Sequence, residues 1–280
     1  MRLNRRNFFL LALGGSAFAL PAAIPQANRR SNTPKATPKA KFEIYDALVY
    51  KNKPSLDLPL IGTNGGEYWK DSRRETPDEA ACRGFARYIM QGTKRIVIDI
   101  EHWNYDIRKA PEAEVKETMR KVIQIVDWMK NETPAITIGM YPFPPITDYW
   151  TPVANPLGIG AWQKANEFLH PISERVDFIA PEIYAYYDDR DGWLKFATAN
   201  LAESLKFGKK VVPIVWPRYH VSNDKLKYQM LPGDYWQLQL KTVRESGVDG
   251  LILWDWEPDT TLDPSWDWWQ ETIKFVKVNA

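Results

Sequence analysis

From residue 42 onward, short β-branched runs alternate with longer stretches of helical periodicity, and this alternation constrains the fold more than any other feature. The extended runs fall at residues 42–50, 58–62, 96–101, 135–141, 176–184, 210–216 and 250–256. Thr76-Pro77-Asp78-Glu79 reads as a capping box with proline at the first helical position, opening a helix with Ala81, Phe85, Tyr88 and Ile89 on one face. Residues 111–130 set Val115, Met119, Val122, Val126 and Met129 at helical spacing. Further helices are expected over 159–169, 193–207 and 232–246, the last with Trp236, Leu240 and Val243 on its buried side, and a final one over 265–278. About seven βα units predict an α/β fold, a single (β/α) TIM-like barrel domain of parallel strands over residues 42–280. An open doubly wound sheet is the alternative. Gly62-Thr63-Asn64-Gly65-Gly66 does not match a phosphate loop, however, and nothing else marks a nucleotide crevice.

Ahead of the barrel, Arg5-Arg6 precedes an apolar segment that runs to about Leu20, with small residues after it. Residues 1–27 resemble a bacterial twin-arginine (Tat) export signal, with cleavage after Ala19, Ala23 or Ala27, or retention as an anchor. That resemblance implies the Tat machinery as a partner and a place in the periplasm, at the cell surface or outside the cell. Residues 28–41 are polar, basic and proline-punctuated, as in a disordered tether.

Charge and composition exclude several classes of function. Eight of the 37 basic residues and none of the 35 acidic ones lie in residues 1–41, leaving 29 against 35 and a net charge of −6 on residues 42–280. Such a body has no bulk attraction for nucleic acid or anionic membrane. Cys82 is alone, so no intramolecular disulfide forms. His102, His170 and His220 are scattered without zinc spacing, and Asp188-Asp189 and Asp255/Glu257 read as acidic loops as readily as calcium ligands; no metal or cofactor is expected. A barrel of this size needs no partner chain to bury its core, so a monomer is expected.

The chemistry gathers at strand ends. In residues 95–105, Asp99 and Glu101 share one face of a strand and Ile98 and Ile100 the other, which puts both carboxyls on the lumen side at the rim where such barrels keep their active sites. Trp103 follows. The other strands end in Tyr141, in Glu182 and Tyr184, in Trp216 and Arg218, and in Trp254, Asp255 and Glu257. Thirteen Trp and thirteen Tyr suit a pocket with an acidic floor and aromatic walls, where sugar rings stack and their hydroxyls bond to carboxylates.

Residues 97–103 resemble the Asp-x-Glu-x-Trp strand of the hyaluronidase family of glycoside hydrolases, and chitinase-like barrels share the carboxylate pair. Tyr141-Pro142, Pro181-x-Ile183-Tyr184, Arg218-Tyr219 and the 250–254 strand follow in the family's order. The resemblance implies a distorted barrel that hydrolyses β-linked N-acetylhexosamine glycans, the acetamido oxygen of the sugar attacking its own anomeric carbon. Glu101 would then be the general acid. Asp99 would orient the acetamido group, and its charge would keep Glu101 protonated. Tyr184 would hold that group, Trp254 would wall it, and Tyr141 and Arg218 would contact substrate. Against the family, the domain's net negative charge, with Asp255 and Glu257 beside the pocket, does not suit polyanionic hyaluronan. A neutral or partly deacetylated amino-sugar polymer fits better.

Two alternatives stay open. Glu182, Asp255 or Glu257 could be the partner carboxylate of a conventional retaining or inverting pair. The barrel could also bind carbohydrate, or serve envelope polysaccharide assembly, without turnover.

Overall fold

The computed structural model describes residues 41–280; the expected export signal and nearly all of the basic tether lie outside the described residues. The strands are β1 Glu43–Lys51, β2 Gly62–Asn64, β3 Arg95–Asp99, β4 Thr137–Tyr141, β5 Phe178–Ile179, β6 Lys210–Val211, β7 Ile214–Val215 and β8 Gly250–Thr261. The helices are α1 Glu79–Gln91, α2 Glu112–Glu132, α3 Trp150–Ala154, α4 Ile159–Glu167, α5 His170–Arg175, α6 Arg190–Leu205, α7 Gly233–Glu245 and α8 Asp267–Asn279. All strand pairs are parallel, in the orders β1-β8-β7 and β2-β3-β4-β5-β6. Bridges at Asp46–Leu60 and Glu182–Ile214 join the two sheets into a closed α/β barrel.

Proline decides where the strands break. Residues 210–216, expected as one strand, form two halves around Pro213, which has no N–H to give. The first half pairs with β5 and the second with β8, so a single barrel position passes the sheet from one neighbour to the next. Counted that way the barrel has the seven positions expected. Pro181 likewise limits the expected 176–184 strand to Phe178–Ile179, although Ile183 N–H still reaches the Ile214 carbonyl at 3.1 Å. At the first helix the cap is Asp78, not Thr76: its carboxylate accepts the Ala81 N–H at 2.9 Å. Thr76 precedes a proline and is held extended, which leaves the better capping residue to start the helix. The expected 159–169 helix ends at Glu167, and α5 resumes at His170.

Side-chain alternation sorts the core into two layers. Ile96, Ile98 and Ile100 turn outward against Val115, Val122 and Val126 of α2, each removing its apolar surface from water at about 1.5–3 kcal/mol. Val97 turns inward with Tyr45, Tyr141, Phe178, Ile214 and Ile252 to fill the lumen. A Cβ on Gly139 would lie 2.2 Å from the Phe178 ring, so the missing side chain on β4 is what lets that phenyl fill the barrel. Val97, Asp99 and Glu101 therefore rise along one line: an apolar floor, then two carboxyls at the mouth.

Candidate active site

A cavity of about 440 Å³ opens at the carboxyl ends of the strands, within the usual range for small-molecule sites. Asp99, Glu101, Tyr141, Tyr184, Trp216, Trp254, Asp255 and Glu257 line it, although they come from five strand ends between residues 99 and 257. Trp103, Glu182 and Arg218 stand behind or beside its wall and do not line it. Trp103 instead lies edge-on to Trp69, ring centroids 5.1 Å apart, with the Lys121 ammonium 4.9 Å from its centroid.

Asp99 is the deeper of the β3 pair and Glu101 the exposed one. The loop after β2 presses on this strand end. A Cβ on Gly65 would sit 2.1 Å from the Asp99 carbonyl oxygen, so only glycine permits the approach. Burial first, then the charge of Glu101, a hydrogen bond shared with Glu101, and the charge of Glu182 push Asp99 up to about 7.

Glu182 is a third carboxyl in electrostatic reach, 7% exposed. It accepts a hydrogen bond from the Tyr186 hydroxyl, and His220 Nε2 lies 3.9 Å from it. Burial pushes it up to about 7, the Tyr186 hydroxyl opposes that shift, and the Glu101 charge adds to it. His220, held by Ser222 Oγ at 2.8 Å, is pushed below the ordinary histidine range by burial.

On the opposite wall Asp255 is 1% exposed and fully partnered. Trp216 Nε1 donates at 2.9 Å, Arg218 Nε at 2.8 Å and the Trp256 N–H at 2.9 Å, and the Tyr50 hydroxyl also donates to it. Arg218 is consumed by this arrangement: its remaining nitrogens reach the Tyr228 carbonyl, the Tyr50 oxygen and Glu257. Tyr184 and Trp254 stack nearly parallel, centroids 6.0 Å apart, and Trp216 meets Trp254 edge-on at 5.2 Å.

The barrel is hyaluronidase-like. The crystal structure of bee venom hyaluronidase in a monoclinic form superposes with a TM-score of 0.61 at 15% identity, covering 85% of this chain and 96% of that one. The bee enzyme in complex with a hyaluronic acid tetramer gives a TM-score of 0.58 at 14% identity, over 85% and 95% of the two chains. No protein-family model matches the sequence, and no curated protein matches it. At such identity the likeness establishes the fold.

Several residues of the cavity escaped the sequence reading. Thr63 lines it from β2 and accepts the Trp254 indole N–H at 3.1 Å. His220, Tyr228 and Trp256 also line it. Trp256 was legible, since it repeats the alternation of Ile252 and Trp254; Tyr228 gives no local signal and arrives by the fold of the 218–230 loop.

Proposed function

We propose that this protein is an exported glycoside hydrolase that cleaves a β-linked, N-acetylhexosamine-containing polysaccharide with help from the substrate's own acetamido group. The observation that carries the reading is the Asp99–Glu101 pair, Asp99 half-buried and Glu101 exposed, both lining an aromatic-walled cavity. The acetamido carbonyl oxygen attacks the anomeric carbon, and the bond from that carbon to the leaving oxygen breaks. Glu101 gives its proton to the leaving oxygen. The pair carries one proton before the reaction, and it is the one Glu101 delivers; Asp99, then ionised, holds the acetamido N–H as positive charge develops on the resulting oxazolinium ring. Water then attacks the same carbon, Glu101 takes its proton, and the ring reopens with the original anomeric configuration. Tyr184 and Trp254 wall the acetamido side. A metal is not needed for any step.

The test is reducing-end release from acetamido-bearing and plain β-glycans by the purified protein and by Glu101→Gln. Release from acetamido substrates alone, lost in Glu101→Gln by about 10³-fold or more, is expected. Binding without release, unchanged in the variant, would leave a carbohydrate-binding barrel instead.

A further inference from the structure

Two large aromatic side chains that line the cavity stand exposed: Tyr228, 51% exposed, and Trp256, 61% exposed. Neither is loosely held. Tyr228 adopts the left-handed conformation at φ 65°, uncommon for a residue with a Cβ. Its N–H donates to the Tyr219 carbonyl at 3.0 Å, and its carbonyl accepts Arg218 Nη1 at 2.8 Å. Its ring meets Trp216 edge-on, centroids 6.1 Å apart. The Trp256 backbone N–H donates to Asp255, the same carboxylate that grips Arg218. One buried ion pair thus anchors the backbone that carries each ring. Glu257 follows Trp256 in sequence, lines the same cavity and meets Arg218 Nη2 at 3.3 Å.

The charge at this mouth is one-sided. Asp99, Glu101, Asp255 and Glu257 line the cavity, and no lysine or arginine among the described residues does. Arg218, the nearest guanidinium, is already shared by Asp255 and Glu257. We infer that Tyr228 and Trp256 form an outer sugar subsite for a pyranose ring that bears no carboxylate, stacked on the aromatics with its hydroxyls toward Glu257. This rests on the glycan-hydrolase reading and narrows it. The polymer presents rings without uronate at this position, whereas the tetramer bound by the bee enzyme is hyaluronic acid.

The test is calorimetric binding in the Glu101→Gln protein, which separates affinity from turnover. The probes are a β-1,4-linked N-acetylglucosamine hexasaccharide and a hyaluronan hexasaccharide. The neutral hexasaccharide is expected to bind, and Tyr228→Ala and Trp256→Ala each to weaken it by about tenfold. Tyr228→Phe, which keeps the ring, restores affinity. Hyaluronan should bind at least about tenfold more weakly, and Glu257→Gln should narrow that gap. Both alanine sites are exposed, and unchanged thermal unfolding verifies that the variants fold. Equal affinity for the two probes, no binding of either, or no loss in the alanine variants would overturn the subsite. Hydrolysis failing in the unsubstituted protein while this binding pattern holds would overturn the hydrolase reading and leave the subsite standing.

Discussion

Asp255 and Asp99 are aspartates at the same end of one barrel, yet their surroundings give them opposite work. Asp255 meets an indole N–H, a guanidinium, a phenol and a backbone N–H, so its charge is fully answered. Asp99 meets burial and two further carboxyls, Glu101 and Glu182, and its pKa climbs to about 7. Both line the same cavity. What distinguishes them is the partner set: a charge with donors becomes scaffold, and a carboxyl without a cation becomes a proton carrier.

The largest effect should come from breaking the scaffold side. Arg218→Leu leaves Asp255 buried without its cation, at a cost of about 3–5 kcal/mol, and thermal unfolding should drop by about 10 °C. Adding Asp255→Leu should recover most of that loss. On the other side, Asp99→Asn should cut kcat by about 10²-fold with the melting temperature unchanged or raised. A destabilised Asp99→Asn, or an Arg218→Leu of ordinary stability, would dissolve the contrast.

A smaller effect sharpens it through pH. Glu182 is raised by burial to about 7 in the folded chain, above the ordinary glutamate value that holds once the chain is unfolded. Between those values the folded state holds a proton that the unfolded state has released, so this group's contribution is present at low pH and lost as pH rises toward 7. Glu182→Gln removes the dependence. Relative to the unsubstituted protein it should gain about 3–5 °C in melting temperature between pH 6 and pH 8. A difference that stays flat or runs the other way would show that Glu182 is not a proton-holding group.

Much of this was legible along the chain, because alternation is a local signal. Seven strand positions followed from β-branched runs, the lumen placement of Asp99 and Glu101 followed from counting by twos, and Tyr141, Tyr184 and Trp254 were legible as strand ends. The same count puts Asp255 in step with Leu251 and Leu253, away from the lumen, and its capture by Tyr50, 205 residues earlier, is a long-range event that no window reveals. Arg218 reads as a free cation until its partners are known. Trp103 keeps the motif's spacing yet packs on Trp69, since past β3 the strand's alternation no longer aims the side chain. Strand lengths were overread wherever proline removed a ladder donor, at Pro181 and Pro213.

The most direct test of the Asp99–Glu101 assignment asks what attacks the anomeric carbon. The protein would be titrated with a sugar thiazoline, a stable mimic of the bicyclic oxazolinium ring, and separately incubated with a 2-deoxy-2-fluoro glycoside before intact-mass measurement. Substrate-assisted chemistry predicts competitive inhibition by the thiazoline, weakened by about 10²-fold in Asp99→Asn, and no mass adduct. An adduct on Glu182 or another carboxylate, with no thiazoline binding, would contradict it and assign the attack to the enzyme.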